Sequence, residues 1–236
     1  MSTDKTPPDD GSDPTLITPR SNLRQPGRPG PAAKPRELAP GELFANRFRI
    51  LRGIGKGGMG IVYLADDEQE GRAVAIKTIP SAANAILEAR FRLEARLIAS
   101  LRHPNVVDVV HFGEAEGLLY LALEFIDGEM LSTLLEREGA LGPERACAIG
   151  LQIAEALVAA HKLDVVHRDI KPDNIMIKRL PDGREHATVL DFGVAKLKRE
   201  MAGQVAIQTQ AGSVVGSLRY ISPEQVSNEE VTARTD

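Results

Sequence analysis

His167-Arg168-Asp169-Ile170-Lys171-Pro172-Asp173-Asn174 is the stretch on which the reading of this chain turns. Within eight residues it holds two carboxylates, a lysine and an amide. Taken singly, Asp169 and Asn174 could be turn or capping residues, the usual employment of such side chains. What changes the reading is order. Asp191-Phe192-Gly193 follows at short distance, and a glycine-rich hairpin, Gly55-Lys56-Gly57-Gly58-Met59-Gly60, precedes.

Gly55-x-Gly57-x-x-Gly60 alone is a weak signal, because dinucleotide-binding folds share the spacing. In those folds the motif must open a helix. Here Ile61-Val62-Tyr63-Leu64-Ala65 continues as a strand of β-branched and aromatic residues, so the glycines join two strands. A bare hairpin turn stays open as the plain alternative. No G-x-x-x-x-G-K-[ST] string occurs, which removes the P-loop reading. Glycines at such a turn let backbone N–H groups approach a phosphate chain without side-chain interference. Val74-Ala75-Ile76-Lys77 then ends an apolar strand in a lysine. That lysine is a solvated edge charge unless an anionic partner meets it; Glu94, on the following helix, can supply one.

These motifs, in this order, resemble the eukaryotic-type protein kinases. The similarity runs from about Arg47 to Asp236 and is greatest to bacterial serine/threonine kinases with a Gly-Gly-Met-Gly loop. The resemblance implies an α+β, bilobal protein-kinase-like fold with a strand-rich N-lobe carrying one helix and a mainly helical C-lobe. It implies ATP and Mg²⁺ as cofactors and the hydroxyls of protein Ser and Thr as acceptors. By the same resemblance Gly55, Lys56, Gly57, Gly58, Met59 and Gly60 cover the phosphates. Lys77 holds the α- and β-phosphates and pairs with Glu94, and Asp169 accepts the proton of the attacking hydroxyl. Lys171 steadies the γ-phosphate and marks the Ser/Thr class. Asn174 and Asp191 hold the metal. Ile54, Val62, Ala75 and Met176 sandwich adenine, Leu123 is the gatekeeper, and Glu124 to Ile126 form the hinge. Arg168 is a position that often receives a phosphorylated loop residue, and Thr209 resembles an autophosphorylation site, with a merely solvated threonine as the alternative. His167 reads as a packing residue.

The physics of phosphoryl transfer agrees with such a set. It asks for positioning and for cations around a charged transition state, with little covalent help. Two oxygen-bearing side chains suit a hard cation that keeps water and phosphate as its other ligands.

Outside the motifs the chain sets bounds. It has 236 residues, 42% hydrophobic and 26% charged, enough for one or two domains with a core. A net charge of −4 does not suggest a nucleic-acid or anionic-membrane binder. No apolar run reaches the ~18 residues of a membrane span, and no signal pattern opens the chain. Its one cysteine, Cys147, lies in an apolar helical pattern and reads as a small core residue, in keeping with a reducing cytoplasm.

Residues 1–43 hold nine of the 15 prolines up to Pro40 and read as a disordered tail, with Thr15 and Thr18 as solvated residues or phosphorylated docking points. Residues 44–236 read as the kinase domain, with an N-lobe to about 125 and a C-lobe from about 126. Expected strands are Phe48–Ile54, Ile61–Ala65, Ala73–Ile79, Val106–Phe112, Leu118–Phe125, Ile175–Ile177 and Val189–Leu190. Expected helices are Ala85–Leu101, a short one through Leu131, Leu134 and Leu135, and one from Pro143 to about Lys162 burying Ile149, Ile153, Leu157 and Ala160. Val194 to Gly216 reads as a polar loop. Asp236 aligns with an aspartate that, in the family, ties down the His-Arg-Asp backbone. The resemblance places further C-lobe helices after it, so the chain reads as part of a longer kinase. The rivals are a nucleotide-binding pseudokinase or scaffold, and a small-molecule kinase. Lys171 and Ser222-Pro223-Glu224 favour protein substrates.

Overall fold

The computed structural model describes residues 36–57, 60–80, 91–92, 95–96, 98–192, 217–227 and 229–236. A six-stranded antiparallel sheet comes first. Its strands are β1 (Leu43–Phe44), β2 (Phe48–Gly57), β3 (Gly60–Asp67), β4 (Arg72–Pro80), β5 (Val109–Ala115) and β6 (Leu118–Glu124). Their order is β1-β2-β3-β4-β6-β5. Period-two alternation sorts the side chains. Ile61, Tyr63 and Ala65 of β3, Val74 and Ile76 of β4, and Tyr120 and Ala122 of β6 enter one core with Phe44, Phe48 and Ile50. The β5–β6 hairpin turns on Glu116 and Gly117, both with positive φ (55° and 76°), which matches the twist of the strands they join.

Asp67 closes the β3–β4 turn. It is fully buried, takes both Nε (2.8 Å) and Nη2 (2.6 Å) of Arg47, and accepts the amide of Gln69. The Arg47 guanidinium holds its carboxyl below the usual carboxylate range.

A second, three-stranded antiparallel sheet is formed by β7 (Glu129–Met130), β8 (Ile175–Arg179) and β9 (Glu185–Val189), in that order. Helix α1 (Leu131–Glu138) follows β7, and α2 (Pro143–His161) opens on Pro143 at its first turn, where a missing N–H costs nothing. A short α3 (Pro223–Ser227) lies near the end. A larger core joins Leu119, Leu121 and Leu123 of β6 to Leu134, Ile149, Ala160, Ile175, Val189 and Phe192. Phe91, Ala95 and Ile98 belong to it and are helical. The rest of the expected 85–101 helix lies partly outside the described residues. So do Gly58, Met59, Glu94, Gly193, Thr209 and the 194–216 loop. No helix among the described residues is long and apolar enough to cross a membrane.

Four expectations change. The packed chain begins before Phe44: Leu38 is buried in the first core, and its N–H meets the Tyr63 hydroxyl at 3.0 Å. The strand expected over Val106–Phe112 starts at Val109 and runs to Ala115; Val106 instead bridges Val189 in parallel. The strand expected at Val189–Leu190 is the end of β9, which begins at Glu185. Cys147 is exposed rather than buried, on a face of α2 where Leu151 (62%) and Val158 (53%) are also exposed. The buried face instead uses Ile149, Ala156 and Ala160, with Ile153 and Leu157 partly covered.

Candidate active site

Strand register builds one wall of the site. Val62 pairs with Lys77, Ala75 with Leu123 and Lys77 with Leu121. Directly paired residues share a face, so Val62, Ala75, Lys77, Leu121 and Leu123 lie together, opposite the face that feeds the first core. Leu123 is buried; Val62, Ala75 and Lys77 are half-buried. Ile54 sits on β2, more exposed at 38%. Gly55 pairs with Val62 and Gly57 with Gly60, closing the glycine hairpin. Gly60 has a steric reason of its own: a Cβ there would stand 1.7 Å from the Thr78 carbonyl oxygen. The Lys56 ammonium lies on Glu37, at 2.5 Å.

Lys77 leaves this wall and crosses to the second half of the chain. Its Nζ is 2.5 Å from Asp191 Oδ2, a pair 114 residues apart in sequence. Glu94 lies outside the described residues. Asp191 has φ of 58° and comes just after β9; Phe192 behind it is buried against the His167 ring, edge to face at 4.7 Å.

The loop holding Asp169 is fastened from below. His167 is fully buried. Its Nδ1 receives the Asp169 amide (3.2 Å) and its Nε2 reaches the Leu190 carbonyl (2.7 Å). An amide can only donate and a carbonyl only accept, so the ring is the neutral tautomer with hydrogen on Nε2. Burial pushes its pKa down, which keeps that form. Asp236 Oδ2 accepts from His167 N (2.7 Å), and Oδ1 from Arg168 N (2.7 Å). The His161 ring nitrogen Nε2 also contacts Oδ2, at 2.9 Å. The aspartate thus ties down the loop backbone as its alignment implied. Gln225 Nε2 adds a bond to the Arg168 carbonyl (2.8 Å).

On this base Asp169, Lys171 and Asn174 converge. Lys171 Nζ contacts both Asp169 oxygens, at 3.0 and 2.9 Å. Asn174 Nδ2 donates to Asp169 O (2.6 Å) and Oδ2 (3.1 Å). That uses the amide's donor end and leaves its oxygen as the atom suited to a hard cation. The Asn174 carbonyl receives the amide of Leu190 (2.8 Å), so Asn174 and Asp191 are held in register. Met176, next along β8, pairs with Met130. Among the described residues no group of three or more His, Cys, Asp or Glu converges as a metal site. A cation held by Asn174 and Asp191 would complete its shell from water and phosphate, as Mg²⁺ characteristically does.

The segment expected to be the hinge is pinned by a side chain. Glu124 exchanges backbone and carboxylate hydrogen bonds with Asp108: Glu124 N to Asp108 O, and Asp108 N to Glu124 Oε1, both at 3.0 Å. Burial raises the Glu124 pKa. Gly128, just beyond Ile126, lies so near β8 that a Cβ would meet the Ile177 oxygen at 2.4 Å. Gln225, Gly128 and the Glu124 carboxylate were missed by sequence reasoning. Only a glycine after a run of hinge residues offered any signal.

The protein kinase domain family matches residues 48–236. The chain is 42% identical over 202 residues to the serine/threonine-protein kinase pkn2 of Myxococcus xanthus, covering 84% of this chain and 24% of that protein. It is 39% identical over 191 residues to the serine/threonine-protein kinase PknD of Mycobacterium tuberculosis, covering 80% of this chain and 27% of PknD. The crystal structure of the Mycobacterium tuberculosis PknI kinase domain superposes with a TM-score of 0.63 at 28% identity, over 85% of this chain and 73% of that one. The chain therefore spans only about a quarter of the length of the two curated relatives. With the motif residues gathered at one site and the family match covering most of the sequence, the chain belongs to the protein kinase domain family.

Proposed function

We propose that this chain carries an ATP- and Mg²⁺-dependent protein serine/threonine kinase activity, with residues 44–236 as its catalytic domain and the packed segment from Leu38 joined to it. The observation that carries the reading is the contact of Lys77 with Asp191, beside an Asp169 carboxylate held by Lys171 and Asn174. Phosphoryl transfer needs that combination of a cation from the sheet and an acid in the loop.

In this reading the glycine hairpin (Gly55, Lys56, Gly57, Gly58, Met59 and Gly60) covers the phosphates. Lys77 binds the α- and β-phosphates, with Glu94 as a second partner. Ile54, Val62, Ala75 and Met176 enclose adenine, and backbone groups from Glu124 to Ile126 meet its edge. Asn174 and Asp191 hold Mg²⁺, which when bound neutralises charge on the phosphate oxygens. A substrate Ser or Thr oxygen bonds to the γ-phosphorus while the bond to the bridging oxygen of the leaving ADP breaks, and the hydroxyl proton passes to Asp169. Lys171 steadies the transferred group. Arg168 Nε is buried with no hydrogen-bond partner among the described residues, which supports Arg168 as the receiver of a phosphate on Thr209. Self-association would bring one chain's Thr209 to another's site. A cytoplasmic setting follows from the need for ATP.

The test is transfer of label from [γ-³²P]ATP to a generic protein substrate with Mg²⁺, comparing the chain with Asp169→Asn. Transfer by the parent that Asp169→Asn loses is the expected result. Equal background from both rejects the reading, and a melting shift with ATP but no transfer indicates a nucleotide-binding module instead.

A further inference from the structure

Gln152 is a polar amide on α2, half-buried, and every hydrogen-bonding position of its side chain is used. Its Oε1 accepts from Asn105 Nδ2 (3.0 Å) and from the Ala187 amide (2.9 Å). Its Nε2 donates to the carbonyls of Glu185 (3.1 Å) and Ala148 (3.3 Å). The Ala187 amide can only donate and the Glu185 carbonyl only accept, so one orientation of the side chain satisfies all four partners. A half-buried amide satisfied in full is a specific joint, because turning or removing it strands several partners at once.

The joint closes a strand edge. β9 is the outer strand of its sheet, and its exposed backbone groups need partners. Ala187 finds both in side chains: its amide meets Gln152, and its carbonyl meets the buried Asn105 Nδ2 at 2.7 Å. The edge continues with Val189 N to Asn105 O (2.8 Å) and Val107 N to Val189 O (3.1 Å). Two residues further on stands Asp191. In the other direction the 105–108 segment reaches the hinge, where Asp108 exchanges its bonds with Glu124.

We propose that Gln152, acting with Asn105, is a positioning residue for Asp191: by locking the edge of β9 to α2 and to the segment that holds the hinge, it sets where the strand delivers the metal-binding carboxylate. The proposal rests on the reading of Asp191 as a Mg²⁺ ligand. It adds a residue that touches neither nucleotide nor metal, and its effect must show in metal dependence.

The experiment uses the full chain and the fluorescent nucleotide mant-ATP, titrated with Mg²⁺, with thermal melting alongside. Gln152→Met removes all four bonds. Gln152→Glu keeps the shape and one acceptor oxygen but sets a second oxygen against two carbonyls, and it stays readable if Gln152→Met fails to fold. Both variants are expected to raise the Mg²⁺ concentration for half-maximal nucleotide binding by about three- to tenfold, below the range for groups that touch a metal ligand directly. Nucleotide binding without Mg²⁺ stays unchanged. Adding Asn105→Ala to Gln152→Met should give little further shift, because the two act as one joint. A lowered melting temperature with unchanged Mg²⁺ half-saturation reduces Gln152 to a structural residue and overturns the proposal, as does no change in either. If the parent chain itself shows no Mg²⁺-dependent nucleotide binding, the kinase reading falls, and this inference with it.

Discussion

Replacing Asp236 should unfasten the loop that carries Asp169. The Asp236 side chain is fully buried and accepts three short contacts, from His167 N, Arg168 N and His161 Nε2. Asp236→Ala leaves two backbone donors and an imidazole without their acceptor. Each buried donor left unsatisfied costs about 1–3 kcal/mol, and the lower end of that range for three donors gives about 3–5 kcal/mol in all. For a chain of this size that is a fall of about 6–20 °C in melting temperature. Asp236→Asn retains one acceptor oxygen but turns an NH₂ toward a backbone N–H, so about half the loss is expected. Thermal melting followed by circular dichroism reads the series, and phosphoryl transfer below the transition reads the site. Transfer should fall on the order of a hundredfold in Asp236→Ala, since a displacement near 1 Å of a reacting group has that effect. An Asp236→Ala variant melting within about 2 °C of the parent would refute the reasoning. So would Asp236→Asn proving less stable than Asp236→Ala.

Two further outcomes follow from the sheet. Asp67→Asn breaks a paired, fully buried carboxylate and should cost about 3–5 kcal/mol at neutral pH, measured by urea unfolding. The folded-state pKa of Asp67 is lowered, so its contribution is present above the unfolded carboxylate value and is lost as pH falls through the folded one. The gap between parent and variant should therefore shrink below about pH 4, and a gap independent of pH down to acid unfolding contradicts the assignment. At the glycine hairpin, Gly60→Ala forces β3 off the Thr78 carbonyl and should weaken nucleotide binding by on the order of tenfold or more. Gly53→Ala, with nothing within 4 Å of the added carbon, should stay within about twofold; equal effects of the two would refute the steric argument.

The strands that positioned the site were legible where runs of β-formers lie between turn residues. Ile61-Val62-Tyr63-Leu64-Ala65, apolar throughout and set between the glycine turn and Asp66-Asp67, marks β3 without reference to any other strand, though not which of its faces is buried. The Val106–Phe112 run failed at its start, because Val106 and Val107 are as β-prone as the Val109 and Val110 that follow. Nothing local says that Val106 and Val107 leave the first sheet to line the edge of β9. Cys147 failed for a related reason. Helical spacing shows that a residue lies on an apolar face, and the packing of other elements decides whether that face is covered.

Within the site, Asp169, Lys171 and Asn174 could be read together because they fall in one short loop, where chain connectivity alone keeps them close. Lys77 with Asp191, Asn105 with Gln152, and Asp236 with His167 are separated by 114, 47 and 69 residues. The kinds of residue at the site, their order and the strands that carry them follow from the sequence, since these are set by local spacing and period. Which carboxylate meets Lys77, which side chains close the edge of β9 and what fastens the loop beneath Asp169 were decided only by the tertiary structure. Such contacts depend on strand register and helix packing between distant segments, and no local pattern encodes a distance across the core.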